Sequence, residues 1–135
     1  MTHYLGCHAA DLFAAIAPAA FDLLEENVGD CEPARPITVV SFRGTSDSIV
    51  SYAGGYSSVV SGMPITFLGA EATFETWAEF NQCTGSPSAA DGQGCSTYSE
   101  CADGVQVTLC TKQGGSHEAG NASIAWPILK QYTLP

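Results

Sequence analysis

Residues 37–47 are ITVVSFRGTSD, and the fold of the chain is inferred outward from this stretch. Its β-branched and apolar run from Ile37 to Phe42 follows Pro36, which is typical of a buried strand. A turn-rich tip, residues 43–46, ends the strand, and Asp47 comes directly after it. Open α/β sheets place their chemistry beyond the carboxyl ends of their strands, so Asp47 is a candidate site residue.

A later stretch carries the second candidate. Val105 to Leu109 is another strand-like run, and the segment GGSH, residues 114–117, follows it. His117 therefore lies beyond a strand end, as Asp47 does. Taken alone, Asp47 is better explained as a turn or cap residue, and His117 is better explained as an ordinary loop histidine. Their placement at two strand ends predicts one site that contains both.

Length and composition predict a single globular domain over residues 1–135. Charged residues make up 13% of the chain and hydrophobic residues 45%, which is a globular composition. The formal net charge is -10, with 14 acidic residues against 4 Lys and Arg. Nucleic acids and anionic membranes are therefore poor partners, because both bind basic surfaces. No apolar run reaches the roughly 18 residues of a membrane span, and no signal peptide is visible.

The remaining pattern alternates helices and strands, which indicates the α/β class. Ala14 to Ala17 predicts a short buried parallel strand. Ala70 to Gln82 predicts the strongest helix, with its apolar residues spaced i, i+3, i+4. A final helix starts near Ser123, with Pro127 in its first turns. Residues 21–35 and 49–69 are predicted loops.

The first eight residues predict the end of another helix. We expect one buried face on it, made of Met1, Tyr4, Leu5 and His8. His3 and His8 are interpreted as structural or solvated rather than catalytic.

Six cysteines, an even number in a small domain, indicate disulfides and an oxidising compartment. Their spacing does not resemble a paired zinc motif, so a metal site is the weaker alternative and no cofactor is expected. Cys95 to Cys101 and Val105 to Cys110 flank the turn residues 102–104, which predicts a β-hairpin. In that hairpin Cys95 and Cys110 come within a residue or two of register, so we expect them to be bonded.

Several segments resemble a known family when they are taken in order. They are MTHYL (1–5), DLFAAIAP (11–18), GTSDSIVSY (44–52), Trp77 with Cys83, CADGV (101–105) and GGSH (114–117). Together they resemble the C-terminal half of the polyhydroxybutyrate depolymerase and feruloyl esterase branch of the α/β-hydrolases. The resemblance implies a truncated hydrolase-like sheet flanked by helices, with a disulfide-linked hairpin.

The resemblance also assigns roles to residues of this chain. Asp47 matches the family's catalytic acid, and His117 matches its general base, whose imidazole the acid orients. Cys83 and Cys101 match a family cysteine pair, and resemblance with loop closure pairs Cys7 with Cys31. Two positions depart from the family pattern. Arg43 replaces a usual histidine, and Ser48 replaces a frequent proline.

The nucleophile is missing from its expected place. In the family, the stretch resembling Met1-Thr2 lies directly behind a Gly-x-Ser-x-Gly elbow, and this chain contains no such motif. A recruited serine is one possibility, and a serine from another chain is a second. The leading candidates are Ser57 and Ser58, in a glycine-rich loop. The weaker ones are Ser46, Ser48, Ser116 and Cys7.

Two functions remain open at this point. The first is a carboxylic-ester hydrolase that acts on aryl, short-chain or polyester substrates through Asp47 and His117. The second is a non-catalytic hydrolase half that serves as a binding or structural module. The missing serine elbow favours the second, and the retained acid and base favour the first, because folding does not require both.

Two expectations concern the setting of the chain. The cysteines and the resemblance indicate a secreted or periplasmic protein. Without upstream strands, the Ala14 to Ala17 strand or its neighbour is an exposed apolar edge, which predicts a homodimer.

Overall fold

The computed structural model describes residues 1–58 and 64–135, and the element bounds below apply to those ranges. The helices are α1 (Thr2–His8), α2 (Glu25–Val28), α3 (Ala70–Phe80) and α4 (Ala122–Leu129). The strands are β1 (Ala15–Ile16), β2 (Thr38–Gly44), β3 (Gly55–Ser57), β4 (Ile65–Phe67), β5 (Cys95–Tyr98) and β6 (Val107–Lys112). Each helix described is too short or too polar to cross a lipid bilayer.

A four-stranded mixed sheet, ordered β1-β2-β6-β5, is the centre of the fold. β2 runs parallel to β1 and to β6, and β5 runs antiparallel to β6. All seven residues of β2 are buried, as expected for a strand with a partner on each side and helices over both faces. The strands predicted at 14–17 and 37–42 are confirmed, the first shortened to Ala15–Ile16 and the second running from Thr38 to Gly44.

Helices cover both faces of this sheet. Successive side chains of a strand point to opposite faces, and β2 divides its residues in this way. Val39 packs in one buried cluster with Trp77 of α3, and Cys7 of α1 belongs to the same cluster. Val40 packs in a second cluster with Ala125 of α4. The α/β class is therefore confirmed as a mixed sheet with flanking helices.

Helix α3 forms where its periodicity predicted it, and its end fixes the start of β2. Asn81, the residue after α3, is buried. Its Oδ1 accepts the Ile37 amide at 2.9 Å, and its Nδ2 donates to the Ile37 carbonyl at 2.8 Å. The Asn81 side chain thus satisfies both backbone polar groups of the buried residue Ile37, at the point where the chain enters the sheet.

The predicted hairpin and all three predicted disulfides are present. Cys95 and Cys110 are directly opposite in the β5–β6 register. The bonded pairs are Cys7–Cys31, Cys83–Cys101 and Cys95–Cys110. The hairpin connection is longer than predicted, because β5 ends at Tyr98 and β6 begins at Val107. Residues 102–104 form a 3₁₀ turn within it.

Both predicted loops contain regular structure, which corrects the sequence interpretation. Residues 21–35 include α2, and residues 49–69 include the antiparallel pair β3 and β4. Residues 59–63 of the second loop lie outside the described ranges. The two corrected elements support each other, since the Glu26 carboxylate of α2 accepts the Thr66 amide of β4 at 3.0 Å. Such short elements depend on tertiary partners and carry little periodic signal.

The predicted buried face of α1 is wrong. His3, Gly6 and Cys7 are buried, whereas Met1 is 86% and Tyr4 57% exposed. Gly6 allows this packing, because a Cβ there would lie 2.8 Å from the Trp77 ring. Histidine and glycine do not count as apolar, and a single cysteine makes no stripe, so a count of hydrophobic residues did not detect the true face.

His3 is a structural residue in a buried polar contact. Trp77 Nε1 donates to His3 Nδ1 at 3.0 Å, so the imidazole proton is on Nε2, which donates to the Phe21 carbonyl at 3.1 Å. Only a neutral ring can make both bonds. Burial lowers the pKa of His3 to about 4, and the hydrogen bond to Phe21 offsets this only in part. His8, by contrast, is exposed.

We predict that His3 makes the fold acid-sensitive. Its pKa is about 4 in the folded chain and about 6.5 when unfolded, so the unfolded state takes up the proton first. The stabilisation is complete above pH 6.5 and is lost as the pH falls towards 4, by about 3 kcal/mol. Denaturant titrations at several pH values should show this slope, and His3→Gln should remove it. His8→Gln is the control, and an equal loss of slope there would contradict the assignment.

Candidate functional site

The parallel pairing of β2 and β6 brings two sequence-predicted residues to one edge of the sheet. Gly44 and Lys112, the last residues of the two strands, are register partners. Beyond them the two loops are bonded to each other by their backbones. Thr45 N donates to Lys112 O at 3.1 Å, and Ser46 N donates to Gly115 O at 2.9 Å. The turn before Asp47 and the segment before His117 therefore form one structural unit.

Gly44 permits this close contact between the loops. A Cβ built on it would collide with the backbone carbonyl oxygens of Gly115 and Ser116. Gly114 has a φ of +69°, a conformation that glycine adopts without strain, and its amide donates to Thr45 Oγ1 at 2.8 Å. The glycines of the motif thus serve backbone packing, and they set the path of the chain into His117.

Asp47 is buried and held by backbone amides. Its Oδ1 accepts from Ile49 N at 2.8 Å and from Val50 N at 2.9 Å. Burial by itself raises the pKa of Asp47, but the hydrogen bonds from Val50, Ile49 and His117 lower it more, so the net shift is downward. The carboxylate is therefore ionised at neutral pH and fixed in direction.

His117 completes the pair. Its Nδ1 lies 2.9 Å from Asp47 Oδ2, and its side chain is 39% exposed, whereas that of Asp47 is fully buried. An ionised carboxylate can only accept, so Nδ1 carries the proton and donates it to Asp47. Nε2 is then the nitrogen with a lone pair, on a ring that solvent reaches. Such a ring can accept a proton from a nucleophile and return it.

Two buried charges beside this pair were not assigned a role from the sequence. Arg43 contacts Asp22 Oδ2 through Nη1 and donates from Nη2 to Val50 O at 2.7 Å. Nη2 also lies 4.0 Å from Asp47 Oδ2. Arg43 was noted as a departure from the family pattern, and Asp22 fell in a predicted loop. A charged residue inside a buried strand requires a buried partner. The position of Arg43 in the strand was therefore the sequence signal that could have predicted this ion pair.

The candidate serines are spread over different places. Ser57 is the last residue of β3, and its register partner is Ile65. Ser58 follows it and is exposed. Ser116 donates from Oγ to the Glu118 carboxylate at 3.3 Å. The His117 ring bonds to Asp47 through Nδ1. Ser57 and Ser58 remain predictions.

The other weak candidates are Ser46, Ser48 and Cys7. Both serines flank Asp47 and are exposed. Cys7 is bonded to Cys31, so it has no free thiol and is excluded as a nucleophile.

A cleft of about 270 Å³ opens next to the pair. It lies between the ends of β2 and β6 and the start of α4, and its wall includes the two neighbours of His117 in sequence, Ser116 and Glu118. Phe42 and Ile124 supply apolar surface, and Gln93 supplies an amide. Among the residues that the structure describes, no three His, Cys, Asp or Glu side chains form a metal-binding group. What the site offers is thus an acid, a base and a mixed apolar and polar cleft.

The chain is similar to a segment of a known protein. The sequence is 49% identical over 138 aligned residues to "Feruloyl esterase B" of Piromyces equi. The alignment covers the whole of this chain and 26% of that protein, so the chain spans about a quarter of the relative's length. No family model matches the chain. The chain is thus homologous to a segment of a feruloyl esterase, and the wider resemblance to polyhydroxybutyrate depolymerases stays a prediction.

We predict that Gly44→Ala will separate the two loops that hold the acid and the base. The new methyl group would collide with the carbonyls of Gly115 and Ser116, and backbone groups cannot rotate away. We expect a loss of about 2 kcal/mol or more in stability, together with loss of the low-field Nδ1 proton signal of His117 in NMR spectra. Gly29→Ala is the matched control, since its Cβ would meet no atom within 4 Å. Equal effects at both positions would refute the close-contact argument.

Proposed function

We propose that the chain carries the acid and base of a serine-type carboxylic-ester hydrolase, with Asp47 as the orienting acid and His117 as the general base. The observation that supports this most is the 2.9 Å bond between His117 Nδ1 and Asp47 Oδ2. A buried, amide-held carboxylate and a solvent-accessible imidazole form the same acid–base arrangement as in the Ser-His-Asp triad. Homology to a segment of a feruloyl esterase supports the same reaction class.

The chemistry that this pair would perform follows from its geometry. With Nδ1–H donated to Asp47, Nε2 accepts the proton of a serine hydroxyl while the serine oxygen attacks the ester carbonyl. Asp47 stabilises the imidazolium and keeps its own negative charge. The imidazolium then returns the proton to the departing alcohol. A water molecule repeats the sequence and releases the carboxylic acid.

The serine is proposed from two sources. Ser58, which is exposed, and Ser57 are candidates for a nucleophile recruited within the chain. The other source is a serine on another chain. A label that reacts with activated serines locates a nucleophile that this chain itself supplies, because it requires no assumption about position.

The proposed substrate and setting follow the relative and the cysteines. Esters of ferulic acid are the first substrates to test, because the relative is a feruloyl esterase, and other aryl, short-chain and polyester substrates come next. Three disulfides fit an oxidising compartment, so we propose a secreted or periplasmic location.

One sequence observation favours a second function, that of a non-catalytic binding or structural module. The chain contains no Gly-x-Ser-x-Gly motif, which is the usual way to present a nucleophile above such a sheet. The labelling experiment below distinguishes the two functions.

For the hydrolase, we predict that a fluorophosphonate labels one serine of the purified chain and that hydrolysis of methyl ferulate depends on His117 and Asp47. His117→Ala removes the base, and Asp47→Asn leaves the imidazole badly oriented. Each variant should lower turnover roughly a hundredfold or more. Mass spectrometry locates the label, and His8→Ala is the control for an exposed histidine. Without label or turnover above the His117→Ala background, the non-catalytic function would replace this one.

We also propose that two copies pair through the β1 edge. β1 is an edge strand of only two residues, and the residues before it include the exposed Leu12 and Phe13. The exposed apolar side chains beside this edge favour association with a second copy.

For this assembly, we predict a dimer in light scattering at high protein concentration, which Leu12→Lys converts to a monomer by placing charge on the edge. Trp126→Lys is the matched control, because Trp126 is 64% and Leu12 66% exposed. A monomeric parent chain at high concentration would disprove the proposal.

A further inference from the structure

Asp22 and Arg43 form a buried ion pair next to the acid of the proposed site. Their side chains are each 1% exposed, and they come from different parts of the fold. Arg43 lies in β2, and Asp22 lies between β1 and α2. Burying two charges is costly and adds little net stability. A role beyond stability would explain why both are located beside Asp47.

Arg43 holds the turn that grips Asp47. Its Nη2 donates to the Val50 carbonyl at 2.7 Å, and the amide of the same residue, Val50, donates to Asp47 Oδ1 at 2.9 Å. The guanidinium therefore holds Val50, the residue whose amide directs the carboxylate. As a result, Asp47 Oδ2 is available to accept the hydrogen bond from His117 Nδ1.

Arg43 would nevertheless compete with His117 if its charge were unopposed. Nη2 lies 4.0 Å from Asp47 Oδ2, the same oxygen that accepts the His117 proton. A full positive charge there disfavours a second one on the imidazole. Asp22 is in contact with the other terminal nitrogen, Nη1, and supplies the opposing charge.

We propose that Asp22 is a positioning residue for the Asp47–His117 pair: by holding and neutralising Arg43, it leaves the charge of Asp47 available to the His117 imidazolium. Burial raises the pKa of Asp22, and the hydrogen bond and charge of Arg43 oppose that rise. When Asp22 and Asp47 are both ionised, the four groups together carry one negative charge with His117 neutral and none with His117 protonated. The catalytic meaning of this balance rests on the hydrolase function proposed above, whereas the balance itself does not.

The other charged groups around the pair do not replace Asp22. Lys112 and Glu118 flank the exposed side and pair with each other at 2.6 Å. His3, whose charge Arg43 opposes, has its pKa lowered to about 4 by burial and is neutral in the range of interest. Among these groups, Asp22 and Asp47 are thus the two buried negative charges that oppose the positive charge of Arg43.

The test is an NMR pH titration of the histidine rings in the whole chain, with His117→Ala used to assign the signals. In Asp22→Asn we expect the His117 pKa to fall by roughly half a pH unit, because Asp47 alone then opposes the charge of Arg43. In the double variant Asp22→Asn with Arg43→Gln both charges are absent, and the pKa should return to within about 0.2 units of the parent. Glu75→Gln, which removes an exposed charge on α3, should change it by less than about 0.1 units.

An unchanged His117 pKa in folded Asp22→Asn, or an equal fall in the double variant, would overturn the proposal. If Asp22→Asn does not fold, Arg43→Gln alone provides the second test. The buried Asp22 would then take up a proton, so the pKa of His117 should stay within about 0.2 units, and a rise of roughly half a unit would overturn the proposal. The titration involves no ester, so its failure and a failure of ester hydrolysis are separate results.

Discussion

The parallel pairing of β2 with β6 is the constraint on which the rest of the site depends. It places Gly44 opposite Lys112, so both strands end at the same edge and their loops continue side by side. Asp47 and His117 are 70 residues apart in the chain and meet because of this register. A shift by one residue would exchange the faces of the strand, and it would move the acid away from the base.

The polar groups at this edge explain how buried charge is tolerated next to an exposed imidazole. Asp47 accepts bonds from two backbone amides and from His117. Arg43 is held between Asp22 and the Val50 carbonyl. Each charge thus has a partner that compensates for the loss of water. The buried side of the site fixes the orientation of the Asp47 carboxylate. The exposed side of His117 is accessible to a reacting group.

The homology and the geometry support the same reaction class from independent observations. Identity of 49% to a segment of a feruloyl esterase concerns the whole chain, while the hydrogen bond concerns two side chains. The chain spans about a quarter of that relative, and its own sequence has no Gly-x-Ser-x-Gly motif. The acid and the base are therefore the parts of the proposed mechanism with structural support, and the nucleophile is the part that the labelling experiment addresses.

The sequence by itself determined the features that have local or register-level signals. β2 followed from its β-branched run, α3 from its period, and the Cys95–Cys110 bond from the hairpin register. Asp47 and His117 were predicted from their positions after strands and from family resemblance. Only the tertiary structure decided the buried face of α1, the small sheet of β3 and β4, and the Asp22–Arg43 pair. Those features depend on contacts between distant segments, such as Trp77 against Gly6 and Asp22 against Arg43. Neither a propensity nor a period encodes which distant partner a buried charge or a glycine will meet.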